Sequence, residues 1–237
     1  GTYVVSFTVT DDKGGVGSDA IMVTVTTSPT HTPFTDVPSD TPYHDAIYGM
    51  RDAHIIDGYQ VGDTWEFRPG NTVYRGQFAK MICGVMGLVV LEGDWPDPAI
   101  PFTDLGTDII PGPGVVNSLY PHEYVARAYR TGITRGQTAT NFAPYVSIKR
   151  AQLVTMIVRA VQNLRPEVLL TPPPSYRCSL GDFSPDHADN ARMAEYNGLL
   201  AGLMGFGPSW DPWKTASRGE AAQMLFNLLM RLRSSGG

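Results

Sequence analysis

A mainly α-helical fold made of three repeats, preceded by a β-hairpin, is what the sequence predicts. Two observations carry this expectation. Three arginines, Arg75, Arg150 and Arg218, lie 75 and 68 residues apart, and apolar residues follow each at offsets 3, 6, 7, 10 and 11. That spacing is one face of an amphipathic helix, written three times. Two runs near the N-terminus instead alternate and are rich in β-branched residues, which is the pattern of strands.

The strands come first. Residues 3–10, YVVSFTVT, and 20–27, AIMVTVTT, flank the turn-rich stretch DDKGGVGSD and read as a hairpin. A lone hairpin is marginal in water, so these are expected to be the last two strands of a larger β-sandwich. Asp11, Asp12 and Asp19 fit turn chemistry better than a calcium site. The string GTYVVSFTVTDDKGG resembles the end of a PKD-type Ig-like domain, which implies an extracellular spacer over residues 1–28. The Ser/Pro/Thr stretch SPTHTP then marks a boundary, with a linker at 29–33.

The repeats follow. The helix faces are Phe78, Met81, Ile82, Val85 and Met86; Leu153, Met156, Ile157, Ala160 and Val161; and Ala221, Met224, Leu225, Leu228 and Leu229. Upstream of each lies a second helical stretch that closes on a glycine-bounded turn: AIYGMRDAHIIDGY, YVARAYRTGITRGQ and ARMAEYNGLLAGLM. Gly58, Gly136 and Gly202 hold comparable places, where a left-handed backbone or close packing favours glycine. Loops with aromatics and proline, WEFRPG, NFAPY and SWDPW, join turn to arginine. Each repeat opens on a Phe/Asp signal at Phe34 and Asp36, Phe102 and Asp104, and, in altered order, Asp182 and Phe183. Repeat boundaries are expected at 34–92, 100–165 and 175–233, with an insertion, GTDIIPGPGVVNSLYP, ahead of the second repeat's first helix.

Composition narrows the function. Of 237 residues only 17% are charged and the net charge is −5, which argues against nonspecific nucleic-acid binding. Local arginines can still hold an anion against that background. No apolar run reaches the ~18 residues of a membrane span. The chain opens directly on a strand pattern and is expected to be a piece of a longer precursor. None of the five histidines has metal-ligand spacing, and no GxSxG, P-loop or dinucleotide fingerprint occurs, so neither catalysis, a cofactor nor a metal is expected. Cys83 lies inside an apolar helical pattern and reads as a buried thiol; a pairing with Cys178 stays open.

The opening FTDVP, the loop WEFRPGN and the helix start YRGQFAKM resemble an S-layer homology repeat, over about residues 34–233. The first copy is the clearest and the third the most diverged. The resemblance implies a pseudo-threefold helical trimer built from three repeats. It also implies a non-catalytic module that holds a larger surface protein to the bacterial wall by binding secondary cell-wall polysaccharide, often pyruvylated.

The residues supply a physical reason for such binding. An apolar pattern beginning three residues after each arginine places that arginine near N1 of its helix. There, unpaired N–H groups and the positive dipole end meet a planar guanidinium fork that matches carboxylate. The capping pair is complete only at Ser217 and Glu220; Tyr74 with Gln77 and Lys149 with Gln152 lack a short acceptor. Those two starts are either degenerate or leave N–H groups for a ligand anion. Lys149 adds charge beside Arg150, which puts Arg150 and Arg75 ahead of Arg218 as binding residues. The competing reading pairs the arginines with Asp36, Asp104 and Asp182 for structure alone. Trp65, Tyr145, Trp210 and Trp213 are candidates for sugar stacking or for core packing, and Tyr59 is a secondary candidate. The alternative function is a degenerate repeat array that serves as a structural or protein-interaction module.

Overall fold

The structure, a computed structural model, describes residues 2–24, 32–106 and 119–235. It divides into two compact units after Pro33.

The first unit is an antiparallel hairpin of β1 (Thr2–Thr10) and β2 (Val16–Thr24), in register from Thr2 opposite Thr24 to Thr10 opposite Val16. The second strand starts earlier than the alternation suggested, because Asp11 closes the turn within five residues. Its Oδ1 accepts the N–H groups of Lys13 (2.9 Å) and Gly15 (2.7 Å), while Gly14 turns through φ 83°. Residues 25–31, which include most of the predicted linker at 29–33, lie outside the described residues.

The second unit holds three helix pairs among the described residues: α1 (His44–Asp52) with α2 (Arg75–Val85), α3 (His122–Arg130) with α4 (Arg150–Leu164), and α5 (Ala188–Tyr196) with α6 (Arg218–Ser234). A short hairpin, β3 (Tyr59–Val61) and β4 (Thr64–Glu66), stands between α1 and α2. All the apolar positions read from the three arginines are buried except Met86, which is half-buried just beyond the end of α2. The leading helix of each pair is nine residues long, shorter than the stretch its sequence suggested. The stop is the same each time. His54 (φ 57°), Gly132 (φ 72°) and Gly198 (φ 73°) turn left-handed. The N–H groups of Ile55, Ile133 and Leu199 then reach back to the carbonyls of Met50, Ala128 and Ala194, as in a Schellman motif. Those three apolar residues drop into the core, so the rest of each predicted helix becomes a turn.

Packing passes from each pair to the next. α2 lies on α3, α4 on α5, and α6 on α1, with the three long helices also in mutual contact. The segments ahead of the long helices join as well. Val73 N–H donates to Ala216 C=O (3.1 Å), Ala216 N–H to Ile148 C=O (2.9 Å) and Ile148 N–H to Val73 C=O (3.0 Å). All three residues are fully buried, so each pairs its backbone groups inside this ring. The insertion ahead of α3 falls largely at residues 107–118, outside the described residues. Cys83 and Cys178 are unpaired; burial pushes each thiol up to about 12, which keeps both protonated.

Candidate functional site

The arginines occupy one role at N1 of each long helix, and each reaches the loop of the next pair. Arg75 lies 4.7 Å over the Phe142 ring and its Nε donates to Phe142 C=O (2.7 Å). Arg218 lies 4.5 Å over Phe67, donates from Nε to Phe67 C=O (2.8 Å) and from Nη2 to Asp57 C=O (3.1 Å), and also faces Tyr59. Arg150 lies 4.5 Å over Trp210 and donates from Nη1 to Asp211 C=O (3.1 Å), but its Nη2 is held by the Glu220 carboxylate. Phe67, Phe142 and Trp210 are therefore platforms for the guanidinium groups, a use of the aromatic loops that sequence patterning did not reveal. Burial lowers Arg75 to about 10, so it remains charged at neutral pH, and burial lowers Arg218 as well.

The aspartates do not pair with the arginines directly. Asp36 accepts the N–H groups of Phe67 (2.8 Å) and Arg68 (2.6 Å), and Asp104 those of Phe142 (2.9 Å) and Ala143 (2.6 Å). Each carboxylate thus clamps a left-handed residue ahead of the loop proline, Arg68 at φ 61° or Ala143 at φ 58°. Asp182 is exposed and makes no such clamp, because in the third pair aspartate precedes phenylalanine instead of following it by two residues. Asp211 organises that loop instead, accepting Trp213 N–H (2.8 Å).

The idea that uncapped helix starts leave their N–H groups for a ligand is corrected by the backbone. Arg75 and Gly76 donate to Val146 and Pro144, Arg150 and Ala151 to Lys214 and Pro212, and Arg218 and Gly219 to Asn71 and Pro69. The neighbouring loop caps each helix from outside. Gln77 and Gln152 still reach back to the N-cap N–H at 3.1 Å, as Glu220 does at 2.9 Å.

A groove of about 230 Å³ lies beside the first pair. The turn Ile55–Tyr59 forms one wall, and Gln77, Lys80 and Met81 of α2 form the other. Tyr120 and Arg218 complete it from the second and third pairs. It gathers Gly58, Tyr59 and Arg218 from the predicted residues, and adds Asp57, Gln77, Lys80 and Tyr120, which sequence reasoning missed. Lys80 had a signal, since it is the cation at an offset where the other long helices carry Thr155 and Gln223. Gln77 stands where the third pair has Glu220, so an amide faces Arg218 where a carboxylate faces Arg150. Gly58 is required by close approach, as a Cβ would lie 2.4 Å from Phe34 and 2.7 Å from Glu66 C=O. Gly136 is hemmed in likewise by Phe102 and Thr138, at φ 84°. Gly202 sits against Gln223, Lys149 is exposed, and Trp65 packs half-buried on β4; none of these lines the groove. Trp210 is buried, while Tyr145 and Trp213 are exposed.

Residues 33–79 and 116–154 match the S-layer homology domain. Each matched segment spans the leading helix of a pair and runs into its second helix, and the first also takes in the opening at Phe34 and Asp36. An endoglucanase of Bacillus sp. (strain KSM-635) is 26% identical over 85% of this chain and 19% of its own length. An S-layer protein of Bacillus licheniformis is 27% identical over 81% of this chain and 19% of its own length. A protein of Bacillus anthracis named as an uncharacterized cell wall amidase is 26% identical over 81% of this chain and 31% of its own length. The chain therefore spans less than a third of these curated relatives. The S-layer homology segments associate it with the cell surface or cell wall. Among the described residues no helix is long and apolar enough to cross a membrane.

Proposed function

We propose that this chain is a non-catalytic wall-anchoring module, and that the groove beside the first pair binds an acidic sugar of a cell-wall polysaccharide. The groove's charge carries the reading. Arg218 and Lys80 line it against the single carboxylate of Asp57, which lies 3.8 Å from Lys80 Nζ; the neighbour at the Glu220-equivalent position is the neutral Gln77, and Tyr59 and Tyr120 supply aromatic walls. A carboxylate on a sugar, such as a pyruvate ketal, suits that combination of two cations, amide and ring faces. Arg75, with Gly136 and Gln152 nearby in the repeat pattern, is the second candidate, and Lys149 and Arg150 the weaker ones. The clamps at Asp36 and Asp104 position the loops beneath the arginines, and Trp65 supports the first loop from β4. We read 34–92, 100–165 and 175–233 as three repeats about a pseudo-threefold axis, a reading supported by the Val73–Ala216–Ile148 ring. Residues 1–28 are read as the last strands of a PKD-type domain belonging to a larger surface protein.

The test is co-sedimentation with bacterial cell walls. Lys80→Glu is expected to weaken binding by about tenfold, with the melting temperature unchanged because Lys80 is exposed. Walls stripped of polysaccharide should bind neither protein. Equal sedimentation of the wild type and Lys80→Glu would overturn the assignment. The alternative, a purely structural or protein-binding role, is favoured at the third pair, where Glu220 already neutralises Arg150.

A further inference from the structure

A second cleft, about 150 Å³, continues from the first and shares Ile55 and Lys80 with it. Gly84 lies four residues after Lys80, on the same face of α2, so the two clefts follow one another along the seam between α2 and α3. The far wall is Tyr124 of α3, and Leu88 and Val90 supply an apolar side.

Comparison of the three pairs shows what leaves this space open in the first. The residue nine positions after each N1 arginine is Gly84, Arg159 or Asn227. In the third pair the Asn227 side chain fills the corresponding space, donating to Leu199 C=O (3.0 Å) and Ala201 C=O (2.8 Å), the counterparts of Ile55 and Asp57. In the second pair the half-buried Arg159 stands there. At Gly84 a Cβ would already lie 3.4 Å from Ile55 Cγ2, so any longer side chain would enter the cleft.

We infer that this cleft is a second subsite for the same wall polysaccharide, taking a neutral sugar residue next to the acidic one. The inference rests on the groove reading above. Lys80 stands at the junction, where the acidic sugar needs a cation. Beyond it the walls are Ile55, Leu88 and Val90, which suit the C–H face or a methyl-bearing substituent of a sugar, the Tyr124 ring, which suits stacking, and His54, which adds a polar edge. Val89 and Leu91, the chain neighbours of the lining residue Val90, are exposed.

The experiment is calorimetric titration with acid-released wall-polysaccharide fragments, sorted into single-repeat and multi-repeat pools. The wild type is expected to bind the multi-repeat pool about tenfold more tightly. Gly84→Asn should reproduce the filled third pair, fold normally, keep the single-repeat affinity and reduce the length preference to under about twofold. Tyr124→Ala gives a second reading of the same ratio. Equal wild-type affinity for both pools, or a preference that survives both substitutions, overturns the subsite alone. Failure of either pool to bind overturns the groove reading and the subsite together.

Discussion

Glu220 turns the arginine of the neighbouring helix pair into an internal partner. Its carboxylate and the Arg150 guanidinium are both nearly removed from solvent, and the pair was invisible in sequence because 70 residues separate them. Removing one member strands a buried charge, so Glu220→Ala is expected to cost about 3–5 kcal/mol in urea unfolding. Glu220→Gln should cost less, since Gln77 and Gln152 serve at the equivalent positions. Asp97 makes a contrasting, exposed contact. The Ala99 N–H, then Arg130, hold its carboxyl below the usual range, and Arg130 also grips the buried Asp94. A depressed carboxylate stabilises the fold above its unfolded value, near pH 4, and loses that contribution as pH falls through the folded value. The melting temperature should therefore fall on acidification below about pH 4, and Asp97→Asn should flatten that fall.

At the scale of elements, the helix starts explain how a degenerate cap survives. α6 keeps its own cap, with Glu220 N–H donating to Ser217 Oγ at 3.1 Å. α2 and α4 have Tyr74 and Lys149 at that place and no side-chain cap, yet their first two N–H groups are satisfied by the next loop. Ser217→Ala is accordingly expected to destabilise by about 1 kcal/mol in thermal or urea unfolding, whereas Tyr74→Ala and Lys149→Ala should leave the caps of α2 and α4 unchanged. The turns are less forgiving. Gly58→Ala forces a methyl against the Phe34 ring and the Glu66 carbonyl and should cost about 1–3 kcal/mol. The periodic faces and the glycine turns were legible because they are local patterns. The length of α1 was not, because the stop at His54 uses a residue that carries no helix-breaking signal on its own, and in α3 and α5 the stops fall at Gly132 and Gly198, ahead of the Gly136 and Gly202 at which the sequence pattern placed the turn.

Across the second unit, each helix pair depends on the next. α6 packs on α1, and Arg218 reaches back to Phe67, so the last helix completes the first loop. A chain ending at Lys214 would leave α1 without its neighbour, Val73 N–H without Ala216, and the groove without Arg218. It is expected to lose cooperative unfolding by circular dichroism, whereas residues 34–237, which hold the entire described hydrophobic core, should unfold in a single transition.

The sequence by itself determined the three amphipathic faces, the arginines at the helix starts and the hairpin ahead of them, since each is a periodicity or a motif read within some twenty residues. It also placed Gly58, Tyr59 and Arg218 among the candidates. Only the tertiary structure decided which arginine is neutralised, what the aspartates hold, and where a groove stays open. Those outcomes depend on partners distant in the chain: Phe67 and Arg68 for Asp36, Glu220 for Arg150, and the Gly58 turn with Lys80 for Arg218. A burial pattern specifies which face turns inward, but the charge and space left between two faces depend on both of them.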